Sequence, residues 1–131
     1  MINVSSPESG STSKEHPGER FAVVKIVARF FYNGVDKKDI AIITPYSKQR
    51  ELFEQDLRAE QIFFVHVLSV DQAQGKEWDI VILSLVRSNK RYDAGFCLDP
   101  QRLNVPCSRA KVGMIVVADL KCLIGSDSDG L

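Results

Sequence analysis

The sequence lacks most of what a self-sufficient catalyst would carry. It has no phosphate-cradling G-x-x-x-x-G-K-[ST] loop. Its one Gly-Lys pair is Gly75-Lys76, with Val70 where the first glycine belongs and Glu77 where Ser or Thr would hold magnesium. No G-x-S-x-G elbow and no hydrolytic carboxylate pair appears. Asp119, which ends an apolar strand, reads as a capping residue in the absence of a phosphate loop. The three cysteines, Cys97, Cys107 and Cys122, form no CxxC pair and read as reduced thiols. His16 and His66 add no ligand spacing, so no metal site is expected. The longest apolar runs, such as Ile80 to Leu83, are far too short to span a bilayer, and the start lacks the apolar stretch of a secretory signal. An intracellular protein, cytoplasmic or nuclear and without a membrane partner, is expected. Net charge is also lacking: 17 Lys and Arg balance 17 Asp and Glu. Binding to phosphates must come from locally placed cations, not from an overall field.

What is present is the make-up of one ordinary globular domain, 131 residues with 44% hydrophobic and 26% charged. Residues 1–18 are polar and Ser-rich, with Pro7, Gly10, Pro17 and Gly18 as breakers. They predict a flexible tail, and such a start reads as a piece of a longer protein. The domain is expected over 19–124, with a second polar tail over 125–131. Phe21, Val24, Ile26, Val27, Phe30 and Phe31 recur at near-helical spacing from Glu19 to Tyr32, with Gly34 as the stop. Leu52, Phe53 and Leu57 mark an amphipathic helix over Ser47 to Glu60. Strands are expected at Asp39–Thr44, Phe63–Ser69, Asp79–Val86 and Gly113–Ala118, and helices at Gln101–Lys111 and Leu120–Leu123. Strands this continuously apolar, alternating with helices, predict an α/β fold: a mainly parallel sheet covered on both faces. Ligands in such folds sit at the carboxyl ends of strands, so the useful residues should follow Thr44, Ser69, Val86 and Ala118.

Three stretches join a strand end to unusual polar residues. They are Ile43-Thr44-Pro45-Tyr46-Ser47-Lys48-Gln49-Arg50, then Ser69 through Asp79 (SVDQAQGKEWD) leading to Val86-Arg87-Ser88-Asn89, then Gly95 through Lys111 (GFCLDPQRLNVPCSRAK). In order and spacing they resemble motifs IV, V and VI of superfamily 1 helicases. The likeness is to the branch of the nonsense-mediated-decay helicase and senataxin, whose patterns are ITPYxxQ, VDxxQGxExDxVIxSxVRSN and GFxxDxRRLNVAxTRAK. It covers about Asp39 to Ala118.

The resemblance implies the second RecA-like domain of an ATP-dependent helicase, a three-layer domain without a phosphate loop of its own. In that family ATP with Mg2+ lies between two RecA-like domains, and the first carries the phosphate loop. By position, Arg109 is implied as the arginine finger, Arg50 as a second phosphate contact, and Gln74 and Gly75 as the turn linking nucleotide and strand sites. Glu77 is implied at the ribose or beside the finger, with Arg102 and Gln49 also on the nucleotide side. Thr44, Pro45, Tyr46 and Ser69 are implied to touch the backbone of a single RNA or DNA strand. An always-charged guanidinium suits the charge spread over γ-phosphoryl oxygens, and such an arginine is typically worth roughly 10³–10⁵ in rate. A hydroxyl can bond a strand phosphate without reading sequence.

Some residues have a plainer reading beside the functional one. Arg50 has Glu54 at helix spacing, and Lys48 has Glu51. Arg87 and Arg102 also fit structural ion pairs, Trp78 fits packing as well as base stacking, and Tyr46 fits either role. Three departures stand out: Gln101 replaces the first arginine of RRLN, Pro106 removes a backbone donor from the motif VI helix, and Cys107-Ser108 replaces an aliphatic-threonine pair. The expected function is the C-terminal RecA-like domain of a helicase, inactive by itself. Its rivals are a degenerate module that holds a strand or protein without turnover, and a freestanding nucleotide-binding α/β protein.

Overall fold

A computed structural model describes residues 2–3, 17–86 and 109–118. The elements run β1 (Ile2–Asn3), α1 (Pro17–Tyr32), a 3-10 turn (Lys37–Asp39), β2 (Ile40–Ile43), α2 (Ser47–Ala59), β3 (His66–Leu68), β4 (Trp78–Ser84) and β5 (Ala110–Ala118). The five described strands pair in parallel, in the order β1-β5-β4-β2-β3.

Consecutive side chains of a strand point to opposite faces, so apolar residues at every position give two cores. Ala41, Ile43, Val81 and Leu83 meet Val70, Ala73 and Trp78 on one face. Ile40, Ile42 and Ile82 meet Val23 and Val27 of α1 and Phe53 and Leu57 of α2 on the other. Both described helices therefore lie on one side of the sheet, and the segment joining β3 to β4 covers the other.

Helix α1 begins with Pro17 at a position where the missing N–H is no loss. It ends at Gly34, φ +89, with Val35 N–H donating to the Phe30 carbonyl at 3.0 Å and Gly34 N–H to that of Phe31 at 3.1 Å. That is the double closure of a Schellman end. Helix α2 closes the same way through Ile62 to Leu57 at 2.9 Å and Gln61 to Arg58 at 3.0 Å. There Gln61, not glycine, takes the left-handed position at φ 58.

Several expected boundaries move. The tail expected over 1–18 contributes at both ends: Ile2 and Asn3 pair with Val117 and Ala118, and α1 starts at Pro17. The strand expected from Phe63 starts at His66, because Phe64 lies at φ 73 and breaks the extended run. Strand β4 stops at Ser84, and Val86 turns the chain away at φ 72. Ala110 and Lys111, expected in a helix, open β5 instead: Ala110 is in register with Trp78, whose N–H donates to the Arg109 carbonyl at 2.9 Å. The rest of that helix, the one expected at Leu120–Leu123, and the tail 125–131 lie outside the described residues. No described helix is long and apolar enough to cross a membrane. No group of three or more metal-ligating side chains gathers among the described residues.

Candidate functional site

The predicted residues fall into two groups, at opposite ends of the strands. The β3–β4 connection leaves the carboxyl end of β3 at Ser69 and delivers the amino-end group just before β4. Ser69 Oγ accepts the Gln72 N–H at 3.1 Å, while Gln72 Oε1 accepts the Ser69 N–H at 2.8 Å. This S-x-x-Q reciprocity starts a helix-like coil. It continues through Ala73 N–H to the Ser69 carbonyl and Gln74 N–H to that of Asp71, each at 3.2 Å. Val70 and Ala73 anchor the coil in the core, and Gln74, Lys76 and Glu77 stay exposed. Gly75 ends it at φ +75. Trp78 is then buried as the first residue of β4, its ring 5.7 Å from that of His66, which makes it a packing residue. The Arg109 side chain lies beside this turn, half-buried, with Nη1 donating to the Lys76 carbonyl at 3.4 Å. Arg109 thus sits with Gly75, Lys76 and Glu77 at the amino ends of β4 and β5, a correction to the expectation that all site residues follow strand carboxyl ends.

The carboxyl-end group follows β2 and β3. Thr44 continues the ladder by donating its N–H to the Leu68 carbonyl at 3.0 Å, and its own carbonyl accepts Arg50 Nη1 at 2.9 Å. Burial pushes the Arg50 guanidinium below its ordinary pKa, and the neighbouring charges of Glu51 and Glu54 oppose the shift. Pro45, Tyr46 and Ser69 are half-buried along this rim, with Tyr46 at the start of α2 in extended backbone.

Two expectations are corrected by burial. Thr44, expected to touch a strand, is fully buried, and its Oγ1 has no hydrogen-bond partner among the described residues. Gln49, expected on the nucleotide side, is also fully buried; its Oε1 accepts Arg20 Nη1 at 3.1 Å and its Nε2 donates to Ser84 Oγ at 3.4 Å. Arg50 and Arg109, expected at one phosphate, are not brought together. They are separated along β4, whose seven residues span about 20 Å at ordinary strand rise. The Thr44 carbonyl takes one of the five N–H donors of Arg50. Arg102 and Arg87 lie outside the described residues, as do Gln101, Pro106, Cys107 and Ser108.

One polar group was missed from the sequence. Glu19 is fully buried at the start of α1, and its Oε1 accepts Ser84 Oγ–H at 2.7 Å and the Val86 N–H at 3.1 Å. The available signal was Ser84 itself, a hydroxyl inside an otherwise apolar strand, which needs a buried partner.

The AAA domain family matches residues 2–121 of this chain. A "Regulator of nonsense transcripts 1 homolog" from Neurospora crassa is 41% identical over 121 residues, 88% of this chain and 11% of that protein. The homologue of the same description from Drosophila melanogaster is 44% identical over 77% of this chain and 9% of its own length. The ATP-dependent helicase NAM7 of Saccharomyces cerevisiae is 39% identical over 76% of this chain and 11% of its own. The chain thus spans about a tenth of the length of these curated relatives. Among solved structures, the C-terminal domain of a possible DNA helicase from Lactobacillus plantarum aligns with a TM-score of 0.58 at 21% identity, covering 79% of this chain and 68% of that one. At that identity the likeness speaks for the fold, an α/β domain of RecA-like type. The chain belongs to the AAA domain family, in the superfamily 1 branch of the nonsense-transcript regulators that its three motifs resemble.

Proposed function

We propose that this chain is the C-terminal RecA-like domain of an ATP-dependent helicase. It would complete an ATP site at the amino ends of β4 and β5 and part of a single-strand groove at the carboxyl ends of β2 and β3. The observation that carries the reading is Arg109, half-buried beside Gly75, Lys76 and Glu77, with Nη1 donating to the Lys76 carbonyl at 3.4 Å. A guanidinium held at such a turn can make charge-assisted bonds to a phosphate. The residues fit half of a nucleotide site: a cation, a glycine turn and an exposed carboxylate, with no phosphate loop in the sequence. The other half, a phosphate loop and the magnesium ligands, belongs to a first RecA-like domain. ATP with Mg2+ supplies the free energy for closing two such domains on a strand of RNA or DNA. Arg109 stabilises charge on the transferring phosphoryl group, Glu77 positions the ribose or the arginine, and Pro45, Tyr46 and Ser69 meet the strand backbone.

The test is Arg109→Ala in the full-length protein. Turnover is expected to fall roughly 10³–10⁵-fold, with ATP binding retained. Unchanged turnover defeats the finger assignment. A second reading, a module that holds a strand or protein without turnover, is favoured by Gln101 and Pro106 in motif VI. Strand-stimulated ATP hydrolysis by the full-length protein excludes it.

A further inference from the structure

The proposed function leaves unused a buried polar chain that runs beneath the carboxyl rim. At its centre is the Glu19 carboxylate, fully buried at the start of α1. A carboxylate in that position is costly unless its hydrogen bonds are met, and an apolar side chain of similar volume would fill the space without that cost. Two contacts explain what Glu19 holds. One is the Val86 N–H, 3.1 Å from Oε1, just past the end of β4. Val86 is a β-branched residue at φ 72, a region such side chains rarely enter, so its conformation must be imposed by its surroundings. The other is Ser84 Oγ–H at 2.7 Å.

Ser84 passes the connection onward. Its Oγ accepts Gln49 Nε2 at 3.4 Å, and Gln49 Oε1 accepts Arg20 Nη1 at 3.1 Å. Arg20 in turn is paired with Asp56 of α2 through Nε at 2.9 Å. Gln49 is in the first turn of α2, next to Arg50, which grips the Thr44 carbonyl. The chain therefore ends at two pieces of backbone, the exit of β4 and the loop from β2 into α2. Both border the rim where Pro45 and Tyr46 stand.

We propose that Glu19 is a positioning residue for strand binding: it fixes the exit of β4 and, through Ser84 and Gln49, the entry to α2, so that the two rim segments present one surface to the strand. This rests on the reading of that rim as a single-strand groove. Glu19 touches no strand itself. The nucleotide end, on the far side of β4, does not depend on it.

The experiment compares the unaltered full-length protein with Glu19→Ala, Glu19→Gln and Ser84→Ala. Strand affinity is read by anisotropy of a fluorescein-labelled oligouridylate, nucleotide affinity with a fluorescent ATP analogue, and folding by far-UV circular dichroism. Glu19→Ala leaves the Val86 N–H and Ser84 hydroxyl without their acceptor and is expected to weaken strand binding about tenfold. Glu19→Gln keeps an acceptor at the same place and is expected to restore affinity to within about threefold of the unaltered protein. ATP affinity is expected to stay within about twofold in both. If Glu19→Ala does not fold, Ser84→Ala, which removes the hydroxyl between Glu19 and Gln49 but keeps the Glu19–Val86 bond, is expected to weaken strand binding while sparing ATP. Strand and ATP affinities that fall together, or strand affinity that does not change in the folded variants, overturn the proposal. No strand binding by the unaltered protein would instead sink the groove reading, and this inference with it.

Discussion

At Gly75 the backbone lies at φ +75, and a Cβ built there would meet nothing within 4 Å. The constraint is torsional, not steric, so Gly75→Ala should cost about 1–2 kcal/mol through the left-handed penalty alone. Thermal unfolding reads this directly; an unchanged midpoint would mean that the turn has another conformation open to it. The need for glycine here was legible from the sequence, because the tight turn before a buried strand demands it. Glu19 was not legible. An acidic residue in the first turn of a helix is ordinarily a solvated partner of the helix dipole, and nothing in the linear order of residues brings Ser84 or Val86 beside it. Thr44 and Gln49 failed for a related reason. Motif likeness carries residue type and order but not burial, and both side chains turn inward.

At the scale of elements, the two helix ends make a natural comparison. Both close with the same pair of backbone bonds, yet α1 has Gly34 at the left-handed position and α2 has Gln61. Gln61→Gly removes the strain at a residue that is exposed. It should stabilise the chain by about 0.5–1 kcal/mol, seen as a higher denaturant midpoint with an unchanged slope. A lower midpoint would indicate that the Gln61 side chain contributes contacts that outweigh the torsion. Helix periodicity gave α1 and α2 to within a residue or two, because apolar spacing survives without tertiary knowledge. Strand limits were less legible. Phe63 and Phe64 read as strand on composition, but at 48% and 81% exposure they sit on a turn. The start of β5 at Ala110 depends on a hydrogen bond from Trp78, a long-range partner that local propensity does not reveal.

At the scale of the molecule, the parallel sheet holds the Arg109 turn and the Thr44–Arg50 rim at opposite ends of the same strands. The mainly parallel α/β class was legible from the continuous apolar runs; the division of the candidate residues between two ends was not, since it follows from strand direction and register. The zero net charge has a consequence for strand binding. Among the described residues, positive charge near Thr44 and Pro45 comes from Lys48 and Arg50, which can neutralise few phosphates. The logarithmic dependence of affinity on salt should have a slope of roughly −1 to −2 for the share of these two residues. Titrating the same oligonucleotide at several salt concentrations, with and without Lys48→Ala, measures that share. A slope that Lys48→Ala leaves unchanged would remove this rim from the contact.

The pairing of Ile2 with Val117 and Asn3 with Ala118 sets an order of events for a chain emerging from the ribosome. Among the described strands the first in sequence waits for the last, and until β5 forms Trp78–Ser84 has only β2 as a described neighbour. The newborn polypeptide, more than the finished sheet, is therefore the form that presents an open hydrogen-bonding edge to mispairing.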